Sequence, residues 1–193
     1  MMIAIIKYNA GNIRSVQNAL ARLGYSSTIT DDPEKIRKAD KVIFPGVGEA
    51  NSAMQYLKEK ELDELIRSLT QPVLGICLGL QLMCKFTEEG NTKCLGIFPN
   101  QVIRFKGNAI IPHMGWNDFV SNTGVLFNKV DPKSNVYFVH GYFAEPGDYT
   151  TAICDYIQPF SAALEKDNFY ATQFHPEKSA DVGSTILKNF LQL

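Results

Sequence analysis

Gly75-Ile76-Cys77-Leu78-Gly79 sets a cysteine between two glycines, and His175-Pro176-Glu177 sets a histidine two residues before a glutamate. A thiol, an imidazole and a carboxylate are the parts of a nucleophile, its base and the group that orients the base. Cys77 follows the apolar run Val73-Leu74-Gly75-Ile76 and precedes a helical stretch expected over Leu80 to Phe86. It would therefore stand on a sharp strand-to-helix turn, where a strained backbone needs small neighbours and glycine flanks meet that need. At a helix N-terminus the dipole and free N–H groups favour thiolate over thiol. The backbone N–H of Leu78 would point at an oxyanion formed on a substrate bound to Cys77. The bland alternative is a free cysteine buried as a small hydrophobe. Cys84, seven residues on along the same helical face, is read that way, and Cys94 and Cys154 lack the elbow setting.

The base must be one of three histidines, His113, His140 or His175. Pro176 biases His175 toward an extended backbone, and in an extended chain residues two apart project to the same side. Glu177 can therefore reach the imidazole, fix its tautomer and stabilise the imidazolium. Zinc is the rival use of such residues, but histidines this scattered, without an HxH or HExxH pair, and cysteines without CxxC spacing predict no metal. No cofactor is expected. The loop Phe44-Pro45-Gly46-Val47-Gly48 fails the dinucleotide pattern, because a third glycine would fall at Asn51, and it has no Gly-Lys-Ser/Thr. It can instead supply a second oxyanion N–H from Val47, with Gly46 permitting the peptide to turn, or it is plain Pro-Gly turn punctuation. Gly46→Ala is expected to impair that turn without unfolding the domain.

Elements that would position these groups follow from short apolar, β-branched runs alternating with segments of helical period, the pattern of parallel strands covered on both faces. Residues 2 to 6 and Val42 to Phe44 read as strands around a helix carrying Ile13, Val16, Leu20 and Leu23, with Gly24 past its end. Residues 52 to 67 read as a second helix, before the strand that ends at Cys77. From about residue 95 to 165, short strands and turns predict antiparallel additions, and Ile186 to Leu191 close the chain as a helix. The fold class is α/β, with a mostly parallel central sheet flanked by helices. Cys77 and His175 fall at carboxyl ends of strands, where open α/β sheets place their sites. No linker or repeat divides residues 1 to 193, so one domain is expected. With 20% charged residues and a net charge of −1, no basic excess points to nucleic acid or an acidic membrane. The apolar run at Met1 to Ile6 is too short and wrongly flanked for a signal peptide or span, which predicts a cytoplasmic protein.

Taken together, PGVG, GICLGLQ and QFHPEKS resemble the class I (triad) glutamine amidotransferases, a flavodoxin-like family, over essentially the whole chain. The stretches Asn9 to Val16, Pro112 to Asn117 and Tyr137 to His140 look like the glutaminase subunits of imidazole glycerol phosphate synthases. The resemblance implies glutamine hydrolysis through a thioester on Cys77. Ammonia would pass to a (β/α)8-barrel cyclase subunit of histidine biosynthesis, in a heterodimer. It implies that Gln81 and Glu89 hold the head of the glutamine substrate, with backbone of Gly46, Gly48, Gly141 and Tyr142. It also implies that Asn12, Trp116, Tyr137 and Lys178 face the partner. Gln81 lies one helical turn after Cys77, hence on the same face. Glu89 and Lys178 read alone as solvated charges, and Trp116 as a buried tryptophan or an interface residue. Two positions depart from the family: Lys7 where Asp is common, and Gly141 where Ser or Thr is usual.

Three other readings share some of these features. A glutaminase of the same fold could serve another acceptor synthase. A silent module could merely scaffold a barrel, although an intact Cys77, His175 and Glu177 argue against it. A cysteine peptidase would need no partner.

Overall fold

A computed structural model describes residues 1–193. Strands β1 (Ile3–Ile6), β3 (Lys41–Gly46) and β4 (Val73–Cys77) are buried along their whole length. They form the middle of an eight-stranded sheet, with β2 (Ser27–Thr30) at one edge beside β1. Beyond β4 the order continues with Phe169–Thr172, Pro159–Lys166, Thr150–Asp155 and Ser121–Asn122. The five strands from β2 to Phe169–Thr172 run parallel, and the last three extend the sheet antiparallel. The expected mostly parallel sheet with antiparallel additions is what forms.

Alternate residues of each buried strand enter two separate cores, as a two-residue period requires. Ile3, Ile5, Ile43 and Leu74 pack with Val16 and Leu20 of α1 (Ile13–Arg22) and with Ile186, Leu187 and Phe190 of the last helix, Ala180–Leu191. Ala4, Ile6, Val42 and Phe44 pack on the other face. There they meet α2 (Pro33–Lys38), α3 (Ala50–Glu59), α4 (Leu62–Arg67) and α5 (Leu78–Met83). Burial on both faces explains why these strands read as continuous apolar runs.

Three expectations need correction. The first unit is not a single strand-helix-strand, because β2 and α2 intervene between β1 and β3. β2 reads Ser-Thr-Ile-Thr and sits at the sheet edge, so it carries no apolar run. α2 did have a readable start: Asp32 accepts from the N–H of Glu34 and Pro33 opens the helix. The helix expected over 52 to 67 is two helices, broken where Glu61 takes φ 55°. The helix expected to reach Phe86 stops at Met83, because Cys84 is extended and Phe86–Thr87 joins a small second sheet with Thr92–Lys93, Gln101–Arg104 and Tyr142–Ala144. A separate ribbon pairs His113–Asn117 with Val136–His140. No helix is long and apolar enough to cross a membrane.

Candidate active site

Cys77 ends β4 and begins α5 with φ 55° and ψ −106°, a sparsely populated conformation for a side chain with a Cβ. The strained turn expected from Gly-Ile-Cys-Leu-Gly is present. The two glycines serve packing more than the turn. A Cβ on Gly79 would lie 1.9 Å from the carbonyl oxygen of Phe44, and one on Gly75 would lie 2.8 Å from Met83 Sδ. They let α5 lie directly on β3 and β4. Gly46 pairs in register with Cys77, so the Gly46-Val47-Gly48 segment leaves β3 beside that cysteine.

His175 follows the strand Phe169–Thr172 with the extended backbone Pro176 favours, φ −99° and ψ 95°. Its Nδ1 donates to Glu177 Oε1 at 2.8 Å, and neither side chain reaches solvent. Asn12 joins them: its Nδ2 donates to the same Glu177 oxygen at 2.5 Å. Asn12 also approaches His175 Nδ1 at 3.2 Å, but both nitrogens are donors when the imidazole serves Glu177, so the bond that counts is to the carboxylate. The Asn12 side chain, expected toward a partner, is thus turned inward. His175 Nε2 has no hydrogen-bond partner of its own. Burial penalises the imidazolium, yet Cys77, through its charge and close approach, and then Glu177, through its hydrogen bond and charge, raise the His175 pKa to about 10. Negative charge on Cys77 and Glu177 thus favours the protonated form of the imidazole.

His175 is also clamped through its backbone. Its N–H donates to the carbonyl of Tyr137, its carbonyl accepts from Ser179 Oγ at 2.7 Å, and Ser179 Oγ accepts from the N–H of Tyr137. Ser179, which the sequence reading passed over, ties His175 to the ribbon Val136–His140.

A cavity of about 270 Å³ opens over Cys77 and is lined by all but one of the expected binding and oxyanion residues: Val47, Gly48, Leu78, Gln81, Glu89, Gly141 and Tyr142. Pro112, Val139 and His140 complete the wall. Gly46 is the exception, being buried in β3. A Cβ there would fall 2.0 Å from Tyr8 Oη and 3.2 Å from Leu78 Cβ, so the expectation that Gly46→Ala spares the fold is not supported. The same substitution must displace Tyr8 or the start of α5. At Gly141 a Cβ meets only Ile111 Cγ2 at 3.7 Å, an ordinary contact, so the position has room for the family's Ser or Thr. Glu89 is no free surface charge: its Oε2 accepts from the N–H of Ala50 at the start of α3, and burial raises its pKa.

The other two histidines form a neutral pair. His140 Nδ1 donates to the Tyr142 carbonyl at 2.8 Å, which leaves its Nε2 to accept from His113 Nδ1 at 3.1 Å. Burial lowers the pKa of His113 to about 4 and that of His140 to about 3. Both hold fewer protons folded than unfolded below the free histidine value of about 6.5. Their contribution to stability is complete above that pH and is lost as pH falls toward about 4. The melting temperature is expected to drop between about pH 6.5 and 4.5. His113→Phe, which keeps the stacking on Phe138 and Tyr156, should drop less steeply. Equal slopes would remove the pair as the source.

The chain matches the family Glutamine amidotransferase class-I over residues 4–193. It is 58% identical to the imidazole glycerol phosphate synthase subunit HisH of Bacteroides fragilis strain YCH46, with 100% of both chains covered. It is 48% identical to HisH of Haemophilus influenzae, covering 98% of this chain and 96% of that protein. The chain belongs to the class-I glutamine amidotransferases, as a HisH subunit of imidazole glycerol phosphate synthase. Solved structures agree at the level of fold. A chain of the PurLQS structure from Thermotoga maritima gives a TM-score of 0.71 at 16% identity, covering 99% of this chain and 97% of that one. A glutamine amidotransferase from the same organism gives 0.63 at 19%, covering 99% and 82%.

In this amidotransferase the remaining residues expected at a partner face gather on one patch. Trp116 is 55% exposed and sets its ring edge-on to Tyr137 at 5.9 Å, and Lys178 Nζ lies 5.9 Å from the Tyr137 ring. Met114, two residues before Trp116 on the same face of the strand, is 63% exposed. The sequence reading missed Ser179, Tyr8 and Gln173. Ser179 and Gln173 lie inside the QFHPEKS stretch, but which neighbours they bond is set by strands distant in the chain.

Proposed function

We propose that this HisH subunit hydrolyses L-glutamine through a thioester on Cys77 and passes the ammonia to a (β/α)8-barrel cyclase subunit. The observation that carries the reading is a strained helix-terminal cysteine that opens onto a small cavity and is coupled electrostatically, on its other side, to the buried His175–Glu177 pair. His175 Nε2 takes the thiol proton, and Cys77 Sγ attacks the γ-carboxamide carbon. The N–H groups of Leu78 and Val47 stabilise the oxyanion. The imidazolium returns its proton to the departing nitrogen, releasing ammonia, and water then attacks the thioester with His175 as base to release glutamate. Glu177 keeps the imidazole in the tautomer that presents Nε2 to sulfur.

Gln81 and Glu89 are suited to the substrate's ammonium. Both Gln81 Nε2 hydrogens are taken, by the Tyr142 carbonyl at 2.9 Å and Gln173 Oε1 at 3.1 Å, so its Oε1 is left as an acceptor. Backbone of Gly48, Gly141 and Tyr142 remains for the substrate carboxylate. Trp116, Tyr137 and Lys178 form the docking face, and the ammonia joins the phosphoribulosyl-formimino intermediate to give imidazole glycerol phosphate and the aminoimidazole carboxamide nucleotide. The chain acts as one cytoplasmic domain within a heterodimer.

The test mixes the full chain with the cyclase subunit and measures glutamate release with and without the nucleotide substrate. Activity of the isolated chain is expected to be weak and to rise about 100-fold in the loaded complex. Equal rates with and without the partner would defeat the coupling.

A further inference from the structure

Gln173 is fully buried at the end of the strand Phe169–Thr172, and the triad chemistry assigns it nothing. Burying a carboxamide costs free energy unless each polar atom is paired, and an apolar side chain would fill a strand end at less cost. Gln173 Oε1 accepts from Gln81 Nε2 at 3.1 Å, and Gln173 Nε2 lies 3.7 Å from Cys77 Sγ. The direction of this chain is forced from its far end. The Tyr142 carbonyl can only accept, so Gln81 must turn its NH2 group toward it. That same NH2 group faces Gln173, which must answer with oxygen and is left to present N–H to sulfur.

We infer that Gln173 is a positioning residue of the glutaminase site: its amide donates to Cys77 Sγ and, through Gln81, locks the nucleophile to the wall that receives the substrate. The inference rests on Cys77 being the nucleophile of the proposed reaction. The Sγ atom also faces the carbonyl oxygen of Val139 at 3.8 Å, which suits a thiol and repels a thiolate. An N–H donor on Sγ offsets that repulsion, because hydrogen bonds to a charged acceptor are stronger than those to a neutral one. The bond also limits where the sulfur can sit while Gln81 holds the substrate head.

The test needs no glutamine, so it separates from the hydrolysis reading. Alkylation of the full chain by iodoacetamide reports on Cys77: all four cysteines are buried, but Cys77 opens onto the cavity, while burial pushes the thiols of Cys84, Cys94 and Cys154 up. Gln173→Leu is expected to slow Cys77 alkylation at neutral pH about tenfold with the melting transition retained. Gln81→Leu should slow it as well, although Gln81 makes no bond to sulfur, and the double variant should be no slower than Gln173→Leu alone. Alkylation of Gln173→Leu at the wild-type rate, or effects that multiply in the double variant, would overturn the inference. If Gln173→Leu unfolds, recognised by modification of all four cysteines, Gln173→Met keeps the length without donor or carbonyl and is read by the same two criteria. Loss of glutamate release in the wild-type complex would defeat the hydrolysis reading and leave these rates unmoved.

Discussion

Cys77→Ala is expected to lower glutamate release by the assembled complex about 100,000-fold, with the folded structure and partner binding retained. The size follows from the unit character of a triad: His175 and Glu177 have nothing to act on once Sγ is gone. The fold is spared because the thiol contributes little packing of its own. Its bonds are a long contact to the Val139 carbonyl and the one from Gln173. Backbone strain supplies a second readout. At φ 55° and ψ −106°, alanine keeps the penalty of a Cβ while glycine does not. Cys77→Gly should therefore be more stable than Cys77→Ala by about 1 kcal/mol, measured by denaturant titration. Substantial glutamate release by either variant would mean that another group attacks the substrate.

Glu177→Gln is the second large effect, and it isolates charge from shape. Glu177 Oε1 accepts from both His175 and Asn12, whereas Oε2 has no partner. A glutamine can place its carbonyl on the first oxygen and its NH2 on the second, keeping both bonds and the imidazole tautomer. What it loses is the negative charge that holds the imidazolium in a site closed to solvent. The value of kcat is expected to fall about 1,000-fold while KM stays within about threefold, since Glu177 does not reach the substrate wall. Cys77 alkylation at neutral pH should slow in parallel, because the charge of Glu177 is among the causes that raise His175. A wild-type kcat in this variant would leave Glu177 as a structural residue only.

The strained turn at Cys77 and the pairing of His175 with Glu177, the parts of the proposed triad, were legible because each rests on local sterics. A cysteine between glycines after an apolar run is a turn problem solved within a few residues, and His-Pro-Glu needs only the extended backbone that proline enforces. The parallel sheet was legible for a similar reason, since strands covered on both faces must be apolar at every position. Edge strand β2 escaped because its exposed edge asks for no apolar run, and the break at Glu61 escaped because one residue of positive φ leaves no compositional mark.

Asn12 illustrates where local reading ends. As a residue it is a polar group before a helix, equally at home in solvent, at an interface or on a carboxylate. It reaches Glu177, 165 positions away, because β1, β3, β4 and the strand Phe169–Thr172 bring α1 beside the turn at His175. Gln173 reaches Cys77 across 96 positions through the pairing of that last strand with β4. Residue types and short spacings thus establish which groups can react, since reactivity and turn geometry belong to a few consecutive residues. Which buried amide faces the sulfur, which side chain steadies the carboxylate and which glycine is irreplaceable depend on sheet register. Register is set by the packing of the two cores together, and no short stretch of the chain encodes it.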